Sequence, residues 1–437
     1  MTLLSRVSRT SFGCILSGLL FHAVALALIL GIWLAVGLPY GARRLDAAHQ
    51  AWSRAFTADE GFRNRYPERQ DSAAALRIDA IARRMGRFVS PRPDDYKPGH
   101  PPHDMPTWKP LTQFVASLQN RDSDVPITVP APVNDVVTSR SAELQQIEDV
   151  LLEGSSVEWR TANAGMPSVD LLGLRRLHAM LLVRALTADA RGATAARNRT
   201  LEAAWRLEQT MEQRPELLDW LMSQVFSGAR NACLRRFASV PDQWLHRVQS
   251  PDRRAAIVDA YQYEAQTYCR SSRRLMGYAD ADYLSGGEPP SVGAMGSLIR
   301  YGSAPLFRAH VAYYADRLRE EAEALRRVDP CTIDRESHLE QVKRTIPHTS
   351  VVARESLPAL LGAWWTARAT ALQDELTFAV LHERPLMAAA DAGNWSKASS
   401  ICPSLTWLST TSRPDLRGDQ DPKLEESDLV HYTITAR

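Results

Sequence analysis

The longest feature in the hydropathy pattern is an apolar run from Phe12 to Leu38, interrupted only by Ser17 and His22. As a helix rising 1.5 Å per residue it would reach about 40 Å, against about 30 Å for the hydrocarbon core of a bilayer. The chain is therefore expected to cross a membrane once, through residues 11–39, with lipid as its partner there. A cleaved secretory signal carries an apolar region of only about 7–15 residues, although Ala35-Val36-Gly37 is one passable small-x-small cleavage site. Beyond the run, Leu45, Ala48, Trp52, Ala55 and Phe56 keep a helical period, so the helix is expected to continue from the membrane.

The remaining pattern is mostly helical. Ile78, Ile81, Ala82, Met85 and Phe88 form an amphipathic stretch that Asp71-Ser72 would cap. Pro91 to Pro110 is too dense in proline for regular structure, and Asp122 to Pro132 is a second such link. Short helices are expected around Leu111–Leu118 and Leu144–Leu151. The strongest helical block runs from Ser168 to Met276, with Gly192 marking a turn and Pro215, Pro241 and Pro251 opening further helices. Tyr278 to Ser303, rich in glycine and proline, reads as a long loop. A helix over Leu306–Leu325 follows, then a polar stretch after Pro330-Cys331, then a helix near Leu360–His382. In the tail, Leu405 and Trp407, and again Val430, Tyr432 and Ile434, alternate with polar residues, which predicts a small β-hairpin. The expected fold is mainly α: an N-terminal transmembrane helix, antiparallel helical hairpins forming a bundle, and a small C-terminal β-hairpin. The expected divisions are 1–10 (cytoplasmic), 11–39 (anchor), 40–135 (juxtamembrane helices with proline-rich loops), 136–330 (central hairpins) and 331–437 (C-terminal helix and hairpin).

Composition adds little to this. The net charge is +2, with no basic face that would favour nucleic acid and no acidic run. The basic residues are nearly all arginine, as GC-rich bacterial coding would give, and in a bacterium the sequons at Asn198 and Asn394 carry no glycan. Arg6 and Arg9 precede the span and Arg43 and Arg44 follow it, so flanking charge does not set its direction. Two other observations favour the N-terminus inside and the main domain outside the cytoplasm. The N-terminal flank is too short to hold a domain. Four of the five cysteines, Cys233, Cys269, Cys331 and Cys402, lie beyond the span, and an even count in an exported domain points to disulfides. Pairing in chain order, Cys233 with Cys269 and Cys331 with Cys402, is the favoured connectivity; small buried apolar cysteines are the competing reading.

Candidate chemistry is sparse. Ala23, Ala27, Gly31 and Ala35 form a small-residue stripe inside the span of the kind that lets helices pair, so a homodimer or another protein partner is expected alongside lipid. His22, at membrane depth, reads as a neutral hydrogen-bonded histidine. His100, His103 and Asp104 sit between prolines without a further ligand motif, so no metal is assigned. Asp280 and Asp282 read as solvated loop acids. Tyr261, Tyr263 and Tyr268, interleaved with Arg270, Arg273 and Arg274, read as core edge with a solvated rim. No nucleophile elbow, zinc-protease, P-loop or dinucleotide motif occurs, and no catalytic residue or cofactor is assigned.

The stretch LLGLRRLHAMLLVRALTADARGATAARNRTLEAAWRLEQTMEQRPELLDWLMSQVFSGA, from Leu171 to Ala229, resembles a broad set of uncharacterised, membrane-anchored bacterial proteins of planctomycete type. So does ARATALQDELTFAVLHERP followed by a short β-region, and its Asp428-Leu429-Val430 ending is similar to the C-terminal half of pilin-like secretion proteins. The resemblance implies a helical body on a membrane anchor and brings no activity with it. The anchor, the helical hairpins and the absence of catalytic motifs together predict a membrane-tethered extracytoplasmic interaction or scaffold protein on the cytoplasmic membrane. An extracytoplasmic enzyme with its site near Gly277–Gly302, or an accessory subunit of a pilus- or secretion-type system, are the alternatives.

Overall fold

The computed structural model describes residues 4–56, 66–67, 69–86, 89–91, 105–119, 127–161, 169–237, 239–249, 253–274, 294–327, 335–347, 350–389, 396–402 and 406–408. Helix α1 (Leu4–Phe56) is a single helix of 53 residues. It is long and apolar enough to cross a membrane, and over its apolar part almost nothing covers it: Phe21, Leu26, Leu28, Ile29 and Ile32 are exposed. The same helix then enters the folded body, where Leu45, Ala48 and Trp52 are buried. No loop separates the apolar stretch from the body, as the unbroken helical period implies.

The body has two hydrophobic cores. The first is built by α2 (Ala73–Arg84), α3 (Met105–Gln119), α4 (Ala131–Thr138), α5 (Ser141–Leu152), α6 (Leu171–Ala190), α7 (Thr194–Glu212), the end of α8 (Leu217–Leu234) and α9 (Gln243–Val248). Ser72 caps α2, its Oγ accepting from the Ala75 N–H, and Asp170 caps α6 in the same manner at Leu172. Helix α6 is apolar nearly all round and is buried accordingly, from Leu174 to Leu186. Gly192, at φ 69°, makes the left-handed turn into α7. The second core joins the outer part of α1 to α10 (Arg253–Arg274), α11 (Ala294–Arg327), α12 (Arg335–Thr345) and α13 (Val351–Ala389), with Leu217 and Trp220 from the start of α8. Helices α8 and α13 serve both cores: Phe378 and Leu381 of α13 pack on the first, Trp364 and Trp365 on the second.

Helices α1 and α11 run parallel and unusually close. Trp33 Nε1 donates to the Gly302 carbonyl at 2.8 Å, and Trp52 Nε1 to the Ala315 carbonyl at 2.9 Å. A Cβ placed on Gly37 would lie 2.7 Å from Pro305 Cβ, and one on Gly41 would lie 3.0 Å from Arg308 Cβ and from the Pro305 carbonyl oxygen. Two glycines four residues apart thus form the contact face, the geometry by which small residues bring helices together.

The structure changes three expectations. Helix α11 begins at Ala294, so the C-terminal part of the expected Tyr278–Ser303 loop is helical. Its Gly302 and Pro305 lie against α1, where small or compact residues allow close approach. Helix α3 starts at Met105, inside the proline-dense segment, with Pro106 in its first turn, where a missing N–H costs nothing. In the tail, Trp407 lies on strand β2 (Thr406–Leu408), which pairs antiparallel with β1 (Ser396–Ala398), setting Lys397 opposite Trp407. The expected partner around Val430–Ile434 lies outside the described residues.

Substituting Gly37→Leu forces α1 and α11 apart and is expected to cost about 1–3 kcal/mol. Gly31→Leu, with nothing within 4 Å of its Cβ position, is expected to be neutral. Thermal unfolding of the full chain in detergent, followed by helical circular dichroism, separates the two; a Gly37 variant melting with the parent would contradict the contact.

Candidate functional site

On α8, Asp219, Ser223, Ser227 and Asn231 recur every fourth residue. A polar stripe at that spacing ordinarily faces water. Here all four are buried, together with Gln224 and Arg230, while Leu218 on the same helix is 63 % exposed. The stripe is buried because α13 lays a carboxylate against it. Asp374 Oδ2 receives Arg253 Nε at 2.7 Å and Nη2 at 2.6 Å, and its Oδ1 receives Asn231 Nδ2 at 2.6 Å. Arg253 also donates to Ser227 Oγ at 2.9 Å and to Gln224 Oε1. Since Arg253 opens α10, its charge sits at the positive end of a helix dipole, where a cation is disfavoured, and Asp374 offsets that. The network extends through Arg230, which donates to Ser227 Oγ at 3.0 Å and to Glu208 Oε1 at 2.9 Å, while Arg235 donates to Thr377 Oγ1 at 2.7 Å. Helices α7, α8, α10 and α13 are joined by these bonds along the seam between the two cores.

Two groups on this seam are incompletely matched. Glu208 Oε2 and His178 Nε2 are buried without a hydrogen-bond partner among the described residues. Burial pushes the Glu208 carboxyl up to about 8, against the pull of Arg230. Burial, then the Arg230 charge, drives His178 down to about 3; its ring stacks on Phe226 at 4.3 Å as a neutral aromatic.

A second cluster surrounds Arg214, between α7 and α8. Its Nε donates to Asp219, Nη2 to Glu216 at 2.8 Å, and Nη1 to the Trp159 carbonyl at 2.8 Å. Burial raises Asp219 to about 7 despite Arg214, and burial with the neighbouring Glu216 and Asp219 raises Glu264 to about 7. Arg214 also lines a surface recess of about 190 Å³ together with Tyr66, Arg69, Glu212, Trp220 and Asp259; Tyr66 Oη donates to Asp259 Oδ1 at 2.9 Å. Carboxyls that titrate near neutral pH can donate or accept protons there. The Arg214 fork is already committed to Asp219, Glu216 and the Trp159 carbonyl, which makes it a structural clamp first.

The structure brings few of the sequence-derived candidates together. Cys233 and Cys269 are not joined: both are buried thiols, Cys233 in the first core and Cys269 in the second. The Cys233–Cys269 bridge fails because the two side chains are buried in different cores, and burial raises the Cys233 thiol to about 12. Cys331 lies outside the described residues. Cys402 is buried and disulfide-bonded, and its N–H donates to Ser399 Oγ at 3.0 Å. Ala23, Ala27, Gly31 and Ala35 are all exposed, on a part of α1 that α11 does not cover. His22 is exposed and in edge contact with Phe21. Tyr261 is buried and Tyr268 packs on Tyr314 at 5.0 Å, so the tyrosines are core as read. His100, His103, Asp104, Asp280 and Asp282 lie outside the described residues. The sequence reading missed Asp374, Arg253, Arg214 and Asp219. The available signal was a charged residue at a core position: Asp374 continues the buried face of Ala363, Ala367 and Thr370.

Arg253→Met leaves Asp374 buried and unmatched and is expected to destabilise the fold by about 3–5 kcal/mol, while Arg253→Met with Asp374→Leu recovers much of that loss. Unfolding midpoints of the two variants in detergent test this; equal losses would mean that the pair does not couple.

The raised carboxyls also predict a pH dependence. Glu208, Asp219 and Glu264 keep protons in the folded state that ordinary carboxyls release near pH 4, so stability falls as pH rises through their folded values of about 7 to 8. His178 acts in the opposite sense, but only below about pH 6.5. The apparent melting midpoint is therefore expected to fall between about pH 6.5 and 8.5, and Glu208→Gln to flatten that fall. An unchanged slope in Glu208→Gln would show that Glu208 is ionised in the folded protein.

No family model, curated protein or solved structure matches this chain.

Proposed function

We propose that this chain is a membrane-tethered helical interaction protein whose body stands on the outer face of the cytoplasmic membrane. One observation carries the reading: α1 continues as one helix from its apolar span into the second core, burying Leu45, Ala48 and Trp52. A flexible stalk would let the body sample all orientations. A continuous helix fixes its height and tilt, which is what presenting one surface to a partner requires. The outward direction draws on Cys402, since disulfides persist in oxidising compartments. Cys233 and Cys269, as thiols, lend the direction nothing. The enzyme reading has its support at the Asp219 and Glu264 carboxyls near the Arg214 recess, which titrate close to neutral pH.

Cross-linking of intact membranes, followed by mild-detergent purification of the full chain, is expected to recover a partner or a second copy in constant ratio. Protease added to spheroplasts is expected to digest the body. A monomer recovered alone after cross-linking would overturn the interaction reading, and a protected body would reverse the topology.

A further inference from the structure

Away from the two polar clusters, a recess of about 230 Å³ opens between α7 and the chain that leaves α5. One wall is Trp205, Gln209 and Gln213, spaced four residues apart and so on one side of α7 and its end. The other wall is Ser155, Ser156 and Val157. Val157, Trp159 and Thr161 are buried while Ser156 and Glu158 are exposed, the alternation of an extended chain. Glu158 turns its N–H and carbonyl to Ser72, and Trp159 turns its carbonyl to Arg214, just beyond α7. By the same alternation Val157 presents its peptide groups on the α7 side.

The Val157 peptide groups, the Gln213 amide, the Ser155 hydroxyl and the Trp205 indole N–H have no hydrogen-bond partner among the described residues. Gln209 commits only its amide nitrogen, to Glu212 at 2.6 Å. The wall thus offers both donors and acceptors, none of them charged. Arg206 is the one ionised residue lining the recess, and it is already matched by Glu202 at 3.3 Å and the Leu151 carbonyl at 3.1 Å. Trp205 supplies the aromatic surface. Arg247 stacks on it, Cζ 3.8 Å from the ring centre, and is held there by Glu202 and Trp244. Arg247 is not part of the wall, so the recess meets the indole away from the face that Arg247 covers. An aromatic face attracts the weakly positive C–H groups of a saturated ring.

A charged ligand finds no free counter-charge here. A wholly apolar one would leave Gln213, Ser155 and the Val157 peptide unmatched. A neutral ring with C–H groups on its face and hydroxyls around its edge matches both kinds of wall. We propose that this recess binds a neutral pyranose sugar, its ring against Trp205 and its hydroxyls bonded to Gln209, Gln213, Ser155 and the Val157 peptide. The site is independent of the membrane tether, and none of these residues belongs to the Asp374 or Arg214 networks.

The test uses the full chain in phosphatidylcholine nanodiscs, because a glycoside detergent would itself supply a sugar. Saturation-transfer NMR is recorded with the methyl pyranosides of glucose, galactose, mannose and N-acetylglucosamine, with glucuronate and adenosine as charged and flat aromatic controls. At least one pyranoside is expected to receive saturation, strongest at its ring C–H protons. Ser155→Phe, which fills the recess, is expected to abolish the transfer, and Gln213→Ala to weaken binding several-fold. Both positions are exposed, so both variants are expected to melt with the parent. No transfer to any of the four pyranosides would overturn the proposal. So would transfer that persists in Ser155→Phe, or tighter binding of glucuronate or adenosine than of every pyranoside.

Discussion

A carboxylate taken out of water must be matched by charge and by hydrogen bonds, and Asp374 is the carboxylate on which the arrangement of the body turns. Its partners come from two other helices, Arg253 at the start of α10 and Asn231 on α8. Each is buried, so none can be satisfied by water if the helices shift. A hydrophobic contact tolerates sliding because it has no direction; this network does not, because each bond has both a length and an angle. The two cores supply most of the driving force, and the polar seam selects one docking of α13 and α10 on α8 from the many that apolar packing would allow.

The second constraint is steric. Gly37 and Gly41 bring α1 against α11 at a distance that any side chain would prevent. Trp33 and Trp52 then fix the axial register, since each indole N–H donates to one carbonyl of α11. These indole bonds lie on either side of the glycine contact. Displacing α11 by one turn would break both, which is why a helix left exposed along its apolar half can still hold the body in a defined position.

Much of this architecture was legible in the sequence. The long apolar N-terminal helix, its continuation through Trp52, the Ser72 cap and the helices around Gly192 follow from apolar periodicity and local backbone chemistry. What was missed shares one cause: a residue type was read by its usual role when tertiary contact gave it another. Gly302 and Pro305 look like loop residues and are packing residues on a helix. Asp219, Ser223, Ser227 and Asn231 look like a solvent face and are the buried one. Cys233 and Cys269 look like a pair because their helices are close in sequence, but the chain passes from one core to the other between them. Each case needs knowledge of which helix lies opposite, and periodicity within one helix does not contain it.

The two constraints act in series. The glycine contact fixes α11 to α1, the second core packs α10 and α13 on α11, and the seam ties α10 and α13 to α8, which carries the first core. Every step in that chain is either a close backbone contact, an apolar core or a buried polar network, and none is a solvated loop. A rotation of α1 about its own axis therefore carries the first core with it. The Arg214 recess, bordered by α8 and α10, lies on that path, so its orientation relative to α1 is fixed by residues far from it in the sequence. Which face of the body lies toward the apolar half of α1 is decided where Gly37 meets Pro305.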